Sequence, residues 1–82
     1  MSLRLRRLGG PEVVSILTQF GFAVHSQRGS HVKLRRETTR EDWQTLTVPF
    51  HNELDLGTLR AIFRQASRYI PQDQLLPHFY TE

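Results

Sequence analysis

The chain has no cysteine, a single lysine, a single tryptophan and no long apolar run. Without cysteine there is no disulfide framework, no thiolate metal site and no thiol nucleophile, a composition that suits a reducing compartment. No window approaches the roughly 18 apolar residues of a membrane span. The opening MSLRLRRLGG lacks the apolar stretch of a signal peptide, so the expectation is a soluble, cytoplasmic protein with no membrane partner. The scarcity of lysine bears on charge. The 11 basic residues stand against 8 acidic ones, for a net charge of +3, and ten of the basic residues are arginine. Arginine presents a planar, permanently charged fork that matches phosphate oxygens, which makes nucleic acid the leading partner class. At 82 residues there is room for one domain and one core, read as 1–82 with its centre over about residues 9–70.

Gly10 and Pro11 open the first element, where proline's missing N–H costs nothing. Val13, Ile16, Leu17 and Phe20 then fall at i, i+3, i+4 and i+7, the apolar stripe of a helix, and Gly21 supplies a left-handed stop. From Phe22 the period becomes two. Phe22 and Val24 alternate with Ala23, His25 and Gln27, and after Arg28, Gly29 and Ser30 the alternation resumes with Val32 and Leu34 against His31, Lys33 and Arg35. A three-residue loop with Gly29 near the left-handed position pairs Val24 with Leu34, His25 with Lys33 and Gln27 with His31. The polar pairs then share one open face. RETTRED is a polar turn, WQTLTVPF a third strand ended by Pro49, and Asp55 caps a helix with Leu59, Ile62, Phe63 and Ala66 inward. The predicted fold is α+β: helix, strand, strand, strand, helix, with both helices on one face of a three-stranded antiparallel sheet. Leu75, Leu76 and Phe79 in the tail read either as a short third helix or as a partner surface.

The segment QRGSHVKL carries the chemistry. His31 follows a glycine turn on the open face, beside Lys33 and Arg35. RNA can be cut without a metal if a base takes the 2′-hydroxyl proton, an acid protonates the departing 5′-oxygen and cations steady the charged phosphorus centre. Histidine, with an unperturbed pKa of about 6.5, suits either proton role. DNA lacks the 2′-hydroxyl and is spared.

Three segments, GGPEVVSILTQFGF, RGSHVKL and VPFHNELDLGTLRAIFRQA, span roughly residues 9 to 66. In that order they resemble the HicA toxins, small mRNA interferases of toxin–antitoxin pairs with a double-stranded-RNA-binding-like fold. The resemblance rests on a helix ending in Gly-Phe, on the Gly-Ser-His motif, and on Val-Pro-x-His followed by Gly-Thr-Leu-Arg. It implies that His31 is catalytic, that Gly29 and Ser30 shape the turn presenting it, that no metal or small-molecule cofactor takes part, and that a HicB-like antitoxin covers this face. Where the family often has a further histidine or an aromatic soon after the motif, this chain has Val32 and Leu34, which leaves His31 as the one motif histidine. The activity implied is endoribonuclease cleavage of mRNA; the alternative is a non-catalytic RNA-binding module of the same fold.

The RNA-binding candidates are Arg28, Lys33 and Arg35 near the turn, with Arg60 and Arg64 on the second helix. Arg60, Arg64 and Arg68 form an i, i+4, i+8 stripe that reads equally as a phosphate track or as a solvated face. His25 and His51 are read as structural, with a second-proton role left open for His25, and His78 carries no functional reading. Arg4, Arg6 and Arg7 read as a mobile arm or a frayed terminus. For Trp43 the favoured reading is the edge of the core, with base stacking as the other.

Overall fold

The structure, a computed structural model, describes residues 2–82. Helix α1 (Gly10–Gln19) has Val13, Ile16 and Leu17 on its buried side, the stripe expected from the 3.6-residue period. The Glu12 carboxylate reaches back to accept the Gly9 N–H at 2.8 Å, which satisfies one orphan donor of the first turn. Gly21, at φ 93°, ends the helix in the left-handed region. Helix α2 (Leu56–Ala66) buries Leu59, Ile62, Phe63 and Ala66, and its cap Asp55 accepts the Thr58 N–H at 2.8 Å.

Three antiparallel strands, β2 (Ala23–Arg28), β3 (His31–Glu37) and β4 (Trp43–Pro49), lie in that order across the sheet. β3 is central, with Val32 and Leu34 facing Val48 and Leu46 across the ladder. All four are buried with Leu17, Leu59 and Phe63 in one core, which also takes in Leu8, Ile70, Leu75 and Phe79. Each fully buried aliphatic side chain of this kind contributes roughly 1.5–3 kcal/mol. The architecture is the α+β arrangement expected, with both helices on one side of the sheet and the other side open.

The hairpin between β2 and β3 differs from expectation. Val24 does pair with Leu34, but Ser26 pairs with Lys33, Gln27 with Val32 and Arg28 with His31, with a bulge between Val24 and Ser26. The turn has two residues, Gly29 and Ser30. Gly29 sits at φ 59° and Ser30 is not in the positive-φ region, the glycine-first pattern of a type II′ hairpin. His25 is the extra residue of the bulge, so its expected pairing with Lys33 and that of Gln27 with His31 do not occur. Val24, which its pairing with Leu34 would carry into the core, is instead 54% exposed. It shares Leu34's face, but β2 is the edge strand and every one of its residues is exposed.

The ends of the chain meet. The tail forms helix α3 (Gln72–Phe79), which buries Leu75 and Phe79, and β1 (Arg4–Leu5) pairs with β5 (Tyr80–Thr81). Arg6 donates to the His78 carbonyl at 2.9 Å and Arg4 to that of Glu82 at 3.3 Å. Arg4 and Arg6 are therefore tied down rather than part of a mobile arm. Among the described residues no helix is long and apolar enough to cross a membrane.

Candidate functional site

The alternation of β3 sorts its side chains into two sets. Val32, Leu34 and Arg36 point toward the helices, and His31, Lys33 and Arg35 stand on the open face. Because partners in register share a face, Arg28 and Ser26 on β2 and Thr47 on β4 join His31 and Lys33 there. Together with Gln27 they line a pocket of about 520 Å³. His31 is exposed. Two lining residues are cationic and none is acidic, so the pocket attracts anions and its imidazole has no carboxylate for company. The amide of Gln27 donates to the Gly29 carbonyl at 3.1 Å and braces the turn. The tight turn sets Arg28 directly across from His31, closer than the three-residue loop would have placed it.

The other candidates are distributed elsewhere. Arg35 lies farther along the same face, where its guanidinium carbon sits 4.1 Å from the centroid of the Trp43 ring. Arg60 and Arg64 are exposed on α2, but the helix ends at Ala66 and Arg68 is exposed in the turn that follows it, so the expected three-arginine helical stripe is only two long; none of the three joins His31. Arg60 instead lines a groove of about 380 Å³ with Leu3, Arg4, Leu5, Leu56 and Tyr80. His25, His51 and His78 all lie outside the pocket. His78 packs edge-on against Phe20, ring centroids 5.4 Å apart. Among the described residues no three His, Cys, Asp or Glu side chains gather in a way that could hold a metal ion.

What holds the turn in place comes from distant parts of the chain. Ser30 accepts the Phe50 N–H through its carbonyl, and the His51 carbonyl accepts the Gly10 N–H at 2.8 Å. At Gly10 an added Cβ would lie 2.2 Å from the Pro49 oxygen, and at Gly9 2.1 Å from the Asn52 oxygen. Backbone against backbone at that range admits only glycine. The Gly-Gly-Pro start of α1, the Gly-Ser-His turn and the Val-Pro-Phe-His strand end therefore meet in one place. Residues far apart in sequence are conjoined there by contacts that fix the position of His31, which lies opposite Pro49 in the ladder.

A family described as the HicA toxin of bacterial toxin–antitoxin matches residues 10–67, well over half of the chain. The chain belongs to the HicA toxin family. That makes it a toxin with an antitoxin as its counterpart. No curated protein and no solved structure matched it. The HicA match takes in all of α1, the three-stranded sheet and α2, and leaves out β1, α3 and β5.

One important residue escaped the sequence reading. Arg36 donates to the Phe20 carbonyl at 2.7 Å, to the Tyr69 carbonyl at 2.8 Å and to the Gln44 side chain at 2.8 Å, and it lies over the Phe22 ring at 4.8 Å. It thereby holds the end of α1, the segment after α2 and β4 to the central strand of this HicA domain. Its even-numbered parity with Val32 and Leu34 was the available signal.

Proposed function

We propose that this toxin is a metal-independent endoribonuclease that cuts mRNA, with His31 as its general base or general acid. The observation that supports this most is an exposed imidazole beside two cations, Arg28 and Lys33, in a pocket that no carboxylate lines. In the reaction the 2′-oxygen gives up its proton and bonds to the adjacent phosphorus. The bond from phosphorus to the 5′-oxygen breaks, and that oxygen leaves with a proton. Imidazole serves either transfer near neutrality. Lys33 and Arg28 face the non-bridging oxygens, where fixed positive charge counters the charge that grows on phosphorus. The turn of Gly29 and Ser30 presents the histidine. Arg35 meets the RNA farther along the same face, and a HicB-like antitoxin in the cytoplasm inhibits by covering that face.

The test is His31→Ala in the full chain. Growth arrest and RNA cleavage are expected to disappear while circular dichroism and the melting temperature stay those of the parent. Cleavage by the parent is expected to survive EDTA and to leave 2′,3′-cyclic phosphate ends, and an RNA carrying a 2′-deoxy nucleotide at the cut should be inert. Undiminished cleavage by the His31→Ala protein would refute the catalytic assignment. Salt-sensitive binding with no cleavage by the parent would reduce the chain to an RNA-binding module.

A further inference from the structure

Trp43 and Arg35 form a feature that the cleavage chemistry at His31 does not use. Trp43 stands opposite Glu37 in the ladder, so it shares the open face with His31, Lys33 and Arg35. Trp43 is 51% exposed, although an indole gains most by being covered. The Arg35 guanidinium lies 4.1 Å from the centroid of that ring. Its Nε is buried and makes no hydrogen bond among the described residues, so the ring is what holds that end of the group. A guanidinium stacked on an indole presents a flat, cationic, partly dehydrated surface. Nucleobases stack on both aromatic rings and guanidinium planes.

The spacing connects this surface to the pocket. Trp43 is level with Glu37, six residues beyond His31 along the ladder, about 20 Å at roughly 3.3 Å per residue, and Arg35 reaches the ring from two residues nearer. A single strand with its phosphate at His31 covers that distance in no more than about six nucleotides at the stacked rise of about 3.4 Å each. Lys33 lies between the two on the same face. His31, Lys33 and Arg35 therefore run in line along β3, and Trp43 meets the end of that line from the neighbouring β4.

We propose that Trp43, with Arg35 stacked on it, is a base-stacking platform that seats one unpaired RNA base within about six nucleotides of the phosphate held at His31. The inference rests on the nuclease reading for the place of the cut phosphate and for RNA as the ligand. The platform positions the strand and takes no part in proton transfer. Stacking accepts any base, so it fixes register more than sequence. A paired base is hidden in its helix, so the platform favours single-stranded over double-stranded RNA.

Trp43 is the only tryptophan in the chain, and its emission reports on the platform directly. The full-length His31→Ala protein is titrated with a single-stranded RNA octamer, then with a series of octamers each abasic at a different position. The expected result is saturable quenching, lost for an abasic site at one or two adjacent positions and retained elsewhere. In the same background Trp43→Ala is expected to bind about 5- to 150-fold more weakly at constant salt, the range that loss of one stacked base corresponds to. Trp43→Phe, which keeps a ring, is expected to bind close to the parent. Unchanged emission at saturating RNA overturns the proposal, as does Trp43→Ala binding like its parent with an unchanged circular dichroism spectrum. Quenching by the antitoxin but by no RNA also overturns it. Quenching by RNA combined with a His31-independent cleavage, or with none, leaves the platform standing and removes the nuclease reading. Cleavage that depends on His31 without any quenching removes the platform alone.

Discussion

The two faces of β3 hold similar residues under opposite conditions. On the open side Arg35 lies over an exposed indole with its Nε unpaired, while next to it in sequence Arg36 turns inward and donates to three acceptors on three different segments. His31 and Lys33 are exposed, whereas Val32 and Leu34, which alternate with them, are buried. A side chain whose polar atoms are matched by backbone carbonyls holds the fold together. One that stands on the open face without such partners remains free for a ligand. Mutations on the two faces should therefore separate activity from stability.

The sharpest break is between His31 and Leu34. His31→Ala is expected to lower cleavage by about 10²- to 10⁴-fold, the usual worth of a positioned acid or base, with no change in melting temperature. Leu34→Ala opens the centre of the core and should cost about 2–5 kcal/mol in stability, measured by urea unfolding, while the fraction that remains folded still cleaves. If the His31 variant melts early, or the folded Leu34 variant is inert, the division between the faces is wrong.

The next largest effect contrasts the two arginines. Arg36→Ala strands two backbone carbonyls at the ends of helical segments and should cost on the order of 2–3 kcal/mol, since hydrogen bonds from a charged donor are the stronger kind. Arg36→Lys should recover only part of that, because an ammonium cannot span the same acceptors as a planar fork. Arg35→Ala loses only a surface contact with Trp43, worth about 0.5–1 kcal/mol. Denaturation midpoints for the three variants decide the matter, and equal losses at 35 and 36 would erase the distinction.

The same faces show what a reader of the sequence can and cannot recover. Helix and strand periods are local, so α1, α2 and the three strands are legible from apolar spacing, as is the Gly21 stop. The bulge at His25 is not. A three-residue loop, or a two-residue loop followed by a bulge, each lead to the same Val24–Leu34 pair, and alternation alone cannot choose between them. The energies of turn and bulge decide. Trp43 is legible in principle: it has the parity of Thr45 and Thr47, which places it on the open face, but an aromatic at a strand start reads more readily as the edge of the core. The glycine contacts at Gly9 and Gly10 depend on a strand end some 40 residues away and leave no local pattern. The tail was ambiguous because Leu75 and Phe79 are buried against a core that only the folded chain brings to them.

A smaller effect compares the pocket's cations with those on α2 and in the turn after it. If RNA lies along the open face, Arg28→Ala and Lys33→Ala should each reduce the slope of log affinity against log salt by about 0.7, the loss of one single-strand phosphate contact. Arg60→Ala, Arg64→Ala and Arg68→Ala, in the layer behind the sheet, should leave the slope as it is. Filter binding of the His31→Ala protein at several salt concentrations measures all five. A slope that responds mainly to the variants at 60, 64 and 68 would move the RNA to the helical side and leave His31 without a substrate.

The smallest effect is on pH, at the cap of α2. The Thr58 N–H and hydroxyl hold the Asp55 carboxyl below its ordinary value of 3.8, because hydrogen bonds to the charged form favour ionisation. A carboxyl whose pKa is lowered by folding contributes stability that is fully present above its unfolded value and is lost as pH falls through the folded one. The contribution should therefore hold at neutral pH and fade below about pH 4. Asp55→Asn keeps an oxygen that caps well but cannot titrate. At pH 7 the variant and the parent should melt at nearly the same temperature, and as the pH drops below 3.8 the parent should lose ground to the variant. Since α2 buries its apolar side against the sheet and points its charged side away from His31, cleavage at neutral pH should not respond to this change. A fall in cleavage with Asp55→Asn, at unchanged melting temperature, would mean that the two layers are coupled in a way that their packing does not suggest.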